Sequence, residues 1–463
     1  MSVHADFSLD CVEGGVEDRN GARRARAVVN PVCGWRTLLV SLPLIVVVAI
    51  GARVGFAWHE GRQVPANLLG TLPFLGETGN IARSLVLGNG FSDAFRQGTG
   101  ATAWLTPVYP LLLAAIFRIF GIYTVAAFIA AVALNIAFSA AACVPIFYAG
   151  RKIAGAGAGA TAAWFWALFP NAIMIPYEWI WDTCLTTLLA TFILWFTLKL
   201  AESTRAIDWC LYGVLWGFAL LTNPALGTLL PFLLGWAAYR AKASGTRSLG
   251  LGALAVLTLA LCCAPWTVRN YIAFHHFVPL RTTFPFALWL GHNRVFDPQS
   301  PPTTRVTPYE EGREYRRLGE DAFMRTKWAE AVHFIRTHPA LEASLFEQRF
   351  VAFWCGLDSP LKRFIEADSL GDRILLLANF FATAGTVGGL VAIWMRYRRY
   401  AFLLSAFPII FPVMYYVTLP YLRYRQPIEP VLMLLAALAL HGLLHWKGSR
   451  APGCDDQIGY GRT

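Results

Sequence analysis

The chain has 463 residues, is 56% hydrophobic and only 14% charged, with a mean hydropathy of +0.48. That balance excludes a soluble globular protein and marks an all-α polytopic membrane protein. The net charge of +11 lies in short clusters between apolar runs, which suits loops facing an anionic leaflet and argues against nucleic acid as a partner.

Residues 1–36 read as a disordered cytoplasmic head. The first apolar run, 37–57, begins behind this polar stretch with no small-residue cleavage site after it, so it is a retained helix. Further apolar runs occupy 105–120, 123–149, 156–174, 180–200, 209–222, 225–239, 249–266, 373–394, 401–419 and 428–446. The basic clusters are Arg23, Arg24, Arg26 and Arg36; Arg151 and Lys152; Lys199 and Arg205; Arg240, Lys242 and Arg247; Arg396, Arg398 and Arg399; and Lys447 and Arg450. They share one side only if 105–120 does not cross. That segment is short, holds Pro107 and Pro110 and ends at Arg118, as a re-entrant helix inside a first outer loop of 58–122 would. The short runs 209–222 and 225–239 meet at the break Leu221–Pro224 and form a hairpin.

About ten crossings with both termini cytoplasmic result. The domains are a membrane core 37–266, an outer loop 267–372, C-terminal membrane helices 373–446 and a cytoplasmic tail 447–463. In the outer loop Leu318, Ala322, Trp328, Val332 and Ile335 fall near helical spacing, predicting an amphipathic helix over the membrane domain. Nine cysteines without C-x-x-C spacing give neither a disulfide framework nor a zinc site.

The midsections of 123–149, 249–266, 373–394 and 401–419 carry no Asp, Glu, Lys or Arg. A transporter or flippase of lipid-linked sugars, the alternative function, would place charge there. The acids instead gather at the outer interface. Glu77 starts a short helix whose apolar face carries Ile81 and Leu85, with Arg83 turned away; helix capping alone is the competing role. Asp182 opens the helix at 180–200, and Glu178 lies one turn earlier. Arg269 and Arg281 approach from one loop. Arg423 and Arg425, in "YLRYRQPIEP", break the positive-inside trend in another, where interfacial snorkelling is the competing explanation. With Tyr109, His292, Asn293 and Tyr424, these side chains make a candidate substrate-binding set. Carboxylates beside arginines at one membrane face suit a sugar carried on a lipid phosphate: a carboxylate deprotonates the acceptor and guanidiniums grip the departing phosphate.

The order of these features resembles the GT-C membrane glycosyltransferases, and within them the protein O-mannosyltransferase and aminoarabinose lipid A transferase branch. The resemblance spans 37–446 and rests on a loop acid, the segment "PVYPLLLA" ending in "FG", a second loop acid and a late "RYRQP" before the last helix. It implies a GT-C-like bundle with juxtamembrane helices on the outer face, a polyprenyl-phosphate sugar donor, a lipid, glycan or protein acceptor, and inversion at the anomeric carbon. It also implies a bacterial inner membrane with the site on the extracytoplasmic face. Glu77 takes the place of the catalytic first-loop acid, where many relatives carry Asp or an Asp-Glu pair. Asp182 matches the second acid better than Glu178, and Arg423 and Arg425 match the late basic motif. No D-x-D motif or histidine cluster is present, so no metal or other cofactor is expected.

Overall fold

The computed structural model describes residues 39–64, 74, 76–95, 98–243, 248–292, 308–356 and 370–448. The head 1–36, Asn293 and the tail after 448 lie outside them. Among the described residues the architecture is helical, with one isolated antiparallel bridge between Ser92 and Ala101.

Seven described helices are long and apolar enough to cross a bilayer: Leu42–Gly61, Val125–Ala154, Thr183–Leu200, Leu249–Phe274, Arg373–Arg396, Arg398–Val417 and Arg423–Leu444. An eighth span arises if Ala156–Leu168 and Pro170–Glu178 are counted as one, bent by 45°. The bend has a local cause. Pro170 donates no hydrogen bond, and the buried Arg53 of the first helix reaches the carbonyls freed just before it, Ala167 at 3.0 Å and Trp166 at 3.4 Å. Ten crossings would also need Ala206–Thr222 and Leu230–Ala243, with 17 and 14 residues. These reach about 25 and 21 Å at 1.5 Å per residue, short of a hydrocarbon core of roughly 30 Å.

Close helix packing follows the G-x-x-x-G rule of membrane proteins. Gly213 and Gly217 face the backbone at Ala255 and the side chain of Cys262, so a Cβ at either position would collide with the neighbouring helix Ser248–Phe274. Gly385 and Gly389 do the same against Ala436 and Leu435 of Glu429–Gly448.

The helix Val108–Phe120, of 13 residues, lies against the helix Glu77–Val86 and buries Tyr109, Leu113 and Phe117. The segment expected as an outer loop forms a cap of the helices Phe284–Gly291, Pro308–Leu318, Glu320–Thr337 and Pro339–Cys355. Two expectations change here. The helix expected to end at 266 continues through Pro265 to Phe274, and the amphipathic helix breaks at Gly319. Its buried stripe is Glu320, Phe323, Met324, Lys327, Ala331 and Phe334, whereas Trp328 is 45% exposed.

Charge explains the offset. The Glu320 carboxylate accepts from Thr102 Oγ1, Thr282 Oγ1 and Tyr315 OH, each at 2.5 Å, and from the Ala103 N–H at 2.9 Å. Lys327 pairs with Glu314 at 2.8 Å and lies 4.0 Å from the Trp289 ring centroid. Two charged residues therefore face inward because partners satisfy them, which an apolar-periodicity reading discards. Glu320 staples the cap helices to the first loop.

Candidate active site

A cavity of about 230 Å³ opens where the first loop, the start of Thr183–Leu200, the break after Thr222 and the segment before the last helix converge. Glu77, Tyr109, Asp182, Arg281, Arg423 and Tyr424 all line it. Segments far apart in sequence thus bring together two carboxylates and two guanidiniums.

Asp182 occupies the N-cap position of Thr183–Leu200, yet its side chain makes no capping bond. Its Oδ2 instead accepts from Asn223 Nδ2 at 2.9 Å and from Thr186 Oγ1 at 3.3 Å, while Oδ1 has no donor from the described residues. Asn223 is held in place because Pro224 ends the preceding helix: its Oδ1 accepts from the Ala225 N–H at 3.0 Å. Thr106 Oγ1 donates to the Thr222 carbonyl at 2.7 Å, tying the first loop to the same break.

Glu77 is the first residue of its helix, following an extended Gly76, and is half-buried. Burial pushes its carboxyl above the usual range, opposed by its own backbone N–H, the charge of Arg423 and a hydrogen bond with Trp104. Burial also pushes Asp182 up, against Arg281, Arg423, Asn223 and Thr186. In both acids desolvation outweighs neighbouring positive charge.

Arg423 sits in an aromatic box. Its guanidinium carbon lies 4.1 Å from the Trp179 ring centroid, 5.1 Å from Tyr424, 5.3 Å from Trp181 and 5.5 Å from Tyr421. Its single hydrogen bond within the described residues goes to Tyr424 OH at 3.4 Å, and Nε has no partner. Rings hold the cation by its faces and leave most edge donors unspent. Tyr424 is itself stacked on Tyr415 with centroids 5.0 Å apart. Arg281, which also lines the cavity, makes no hydrogen bond within the described residues.

The other expected residues have different surroundings. Tyr109 lines the cavity with its ring, but its hydroxyl donates to Asn135 Oδ1 at 2.9 Å. Arg425 does not line the cavity. It is fully buried, donating to Glu429 Oε1 at 3.1 Å, to the Trp354 carbonyl at 2.7 Å and to Asn379 Oδ1. Asn171 completes that network by donating to Glu429 and Asn379. The reason for the divergence is helical: residues two apart on Leu422–Arg425 point to opposite sides, so only one arginine of the pair can face the cavity.

Arg269 clamps the first loop through the carbonyls of Phe91 at 2.5 Å and Thr102 at 2.7 Å. His292 is buried in a knot with Glu342 at 2.8 Å, Arg349 at 3.2 Å and the Leu288 carbonyl at 2.7 Å. Burial, reinforced by Arg349, pushes its imidazole below the usual range. Glu178 is exposed at the end of Pro170–Glu178, and Arg83 is half-buried on the helix of Glu77; neither lines the cavity. Asn293 falls outside the described residues. Sequence reasoning did not single out Asn223, Trp179, Trp181 or Tyr421 as site residues, although the "TNP" break and the "WIWD" run before Asp182 were available signals. Among the described residues no three His, Cys, Asp or Glu side chains converge as a metal site.

No protein-family profile and no curated protein matches the sequence. Solved structures do. The archaeal oligosaccharyltransferase AglB from Archaeoglobus fulgidus, in complex with an inhibitory peptide and a dolichol-phosphate, is similar over 93% of this chain and 53% of its own, with a TM-score of 0.54 and 14% identity. The apo form of the Archaeoglobus fulgidus oligosaccharyltransferase is similar over 90% and 51%, with a TM-score of 0.53 and 15% identity. The fold is that of the GT-C membrane glycosyltransferases. The chain spans about half the length of these oligosaccharyltransferases. ArnT from Cupriavidus metallidurans, bound to undecaprenyl phosphate, aligns over 90% of this chain and 79% of its own at 14% identity, with a TM-score of 0.38. The cavity holding Glu77 and Asp182 lies at one end of the membrane helices, beneath the cap helices Phe284–Gly291 to Pro339–Cys355.

Proposed function

We propose that this protein is a membrane glycosyltransferase that moves a sugar from a polyprenyl-phosphate donor to a lipid, glycan or protein acceptor at the extracytoplasmic face. One observation carries the reading: two partly desolvated carboxylates and two arginines with unspent donors line a single cavity at the ends of membrane helices. The dolichol-phosphate in the complex of the oligosaccharyltransferase of the same fold supports a lipid-phosphate donor.

Glu77 acts as general base. Its carboxylate takes the proton of the acceptor hydroxyl as that oxygen attacks the anomeric carbon, and the bond from that carbon to the phosphate oxygen breaks. The bonding pair leaves with the phosphate, and the single displacement inverts the anomeric centre. Negative charge grows on the phosphate, where the free edge of Arg423 and the guanidinium of Arg281 meet it. A polyprenyl phosphate is a good leaving group, so no general acid is needed. Asp182, fixed by Asn223 and Thr186, keeps Oδ1 for a sugar hydroxyl or for orienting the arginines.

The test is incubation of the purified full chain with polyprenyl-phosphate sugars and a panel of acceptors. Transfer, or slow release of sugar without acceptor, is the expected result. No turnover of any polyprenyl-phosphate sugar, with the protein folded, would remove the proposal.

A further inference from the structure

The membrane helices have another end. Thr183–Leu200 begins beside Asp182 in the cavity and ends near Glu202. Arg398–Val417 begins at Arg398 and ends near the cavity-lining Tyr415 and Thr418. The segment after Asn223 runs from the cavity through Leu230–Ala243 to Arg240. Arg240, Arg398 and Arg399 therefore meet at the bilayer face opposite the candidate active site. A span of 20 residues separates the two faces by about 30 Å.

At that far end the three arginines border a cleft of about 560 Å³. Below them the walls are apolar, formed by Phe232, Gly235, Trp236 and Phe402. A Cβ added at Gly235 would meet nothing within 4 Å, so the cleft is open at mid-depth. Glu202 lies 3.2 Å from Arg399 and is already engaged by Lys152 at 2.8 Å. Arg398 spends its Nε on the Trp394 carbonyl at 3.0 Å and is exposed.

We propose that this cleft is a binding site for an anionic phospholipid, with the headgroup phosphate between Arg240, Arg398 and Arg399 and one acyl chain along Phe232, Gly235 and Phe402. Three cations above an apolar slot at a membrane interface match a phosphate ester joined to a hydrocarbon tail. Loop arginines that only set topology would need no such slot. The site is separate from the transferase cavity and does not depend on the reading of that cavity.

Native mass spectrometry of the detergent-purified full chain, titrated with phosphatidylglycerol or with phosphatidylcholine of the same acyl chains, tests it. Wild type should bind phosphatidylglycerol in preference to phosphatidylcholine. The variant Arg398→Gln/Arg399→Gln should lose roughly ten-fold or more in phosphatidylglycerol affinity, the scale of one lost charge-assisted hydrogen bond. Gly235→Leu, which fills the slot and raises helix propensity, should weaken the same lipid while leaving the thermal transition in place. Glycerol 3-phosphate at millimolar concentration should not displace the lipid; displacement would make this a site for free phosphate and overturn the lipid assignment. Equal binding of both lipids by wild type, or unchanged phosphatidylglycerol affinity in the arginine and glycine variants, would also overturn it.

Discussion

Asn223 donates its Nδ2–H to Asp182 Oδ2 across 2.9 Å, joining a break between two helices to the N-cap residue of a neighbouring span. The asparagine amide is fixed in turn by the Ala225 N–H, so the carboxylate inherits its orientation from the Pro224 turn. Asn223→Ala should lower kcat/KM on the order of ten-fold or more, the effect of one lost bond to a charged acceptor. Asn223→Asp should be worse, because two carboxylates would then face each other. Steady-state kinetics with a thermal-unfolding control measures both; full activity in Asn223→Asp would show that Asp182 needs no such support.

Glu77→Gln preserves shape and hydrogen bonding but removes basicity. Turnover should fall about 100-fold or more, with donor affinity largely kept. Asp182→Asn should also impair activity. Single-turnover kinetics separates chemistry from binding, and wild-type turnover in Glu77→Gln would end its proposed role.

The upward pKa shifts of Glu77 and Asp182 have consequences for rate and stability in opposite directions. A base must be ionised, so the acid limb of kcat/KM should have its midpoint above the ordinary glutamate value of about 4.3. For stability, a raised folded pKa means a contribution fully present below the unfolded pKa and lost as pH rises through the folded one. Both acids therefore oppose folding at neutral and alkaline pH. Glu77→Gln should raise the thermal midpoint more at pH 8 than at pH 4 while lowering turnover, a trade of stability for function. A larger gain at pH 4 would reverse the assigned direction.

Arg423 and Arg425 are predicted to fail in different ways. Arg423→Lys keeps the charge but loses the planar face that the Trp179 and Tyr424 rings hold and the forked edge left for phosphate. Donor affinity should drop roughly ten- to a hundred-fold, for a bond of about 1.5–3 kcal/mol. Arg425→Lys breaks contacts to Glu429, Trp354 and Asn379 and leaves buried partners unsatisfied. It should lower thermal stability by about 3 kcal/mol or more, with donor affinity unchanged in the surviving folded fraction. Donor titration and unfolding curves on the two variants distinguish the roles, and identical behaviour would refute the division.

The helix Val108–Phe120 is proposed not to cross, since its length is about 20 Å against a core of roughly 30 Å. In a cysteine-depleted background, Asn89→Cys and Ile122→Cys should both react with an impermeant thiol reagent added from the extracytoplasmic side. Labelling of Ile122→Cys from the cytoplasm alone would make this helix a span and reverse the assignment of sides downstream.

Several features follow from the sequence alone because they depend on local chemistry. The hydropathy and low charge dictate a membrane protein, and the helix starts at Glu77 and near Asp182 follow from the acids that precede apolar runs. Tertiary structure alone decided which polar groups face the cavity. "RYR" offers two arginines of equal appearance, but helical rotation sends Arg423 to the cavity and Arg425 to Glu429. Glu320 and Lys327 look like solvent-facing charges until partners from distant segments, Thr102, Thr282 and Glu314, satisfy them inside. Asn223 is likewise a turn residue in sequence and a carboxylate holder in space, because its donor direction is set by the helix break and its acceptor arrives from a segment 41 positions away. Local pattern fixes where a helix begins and how apolar it is, whereas burial of a charge depends on which partners the fold delivers, and no periodicity encodes that.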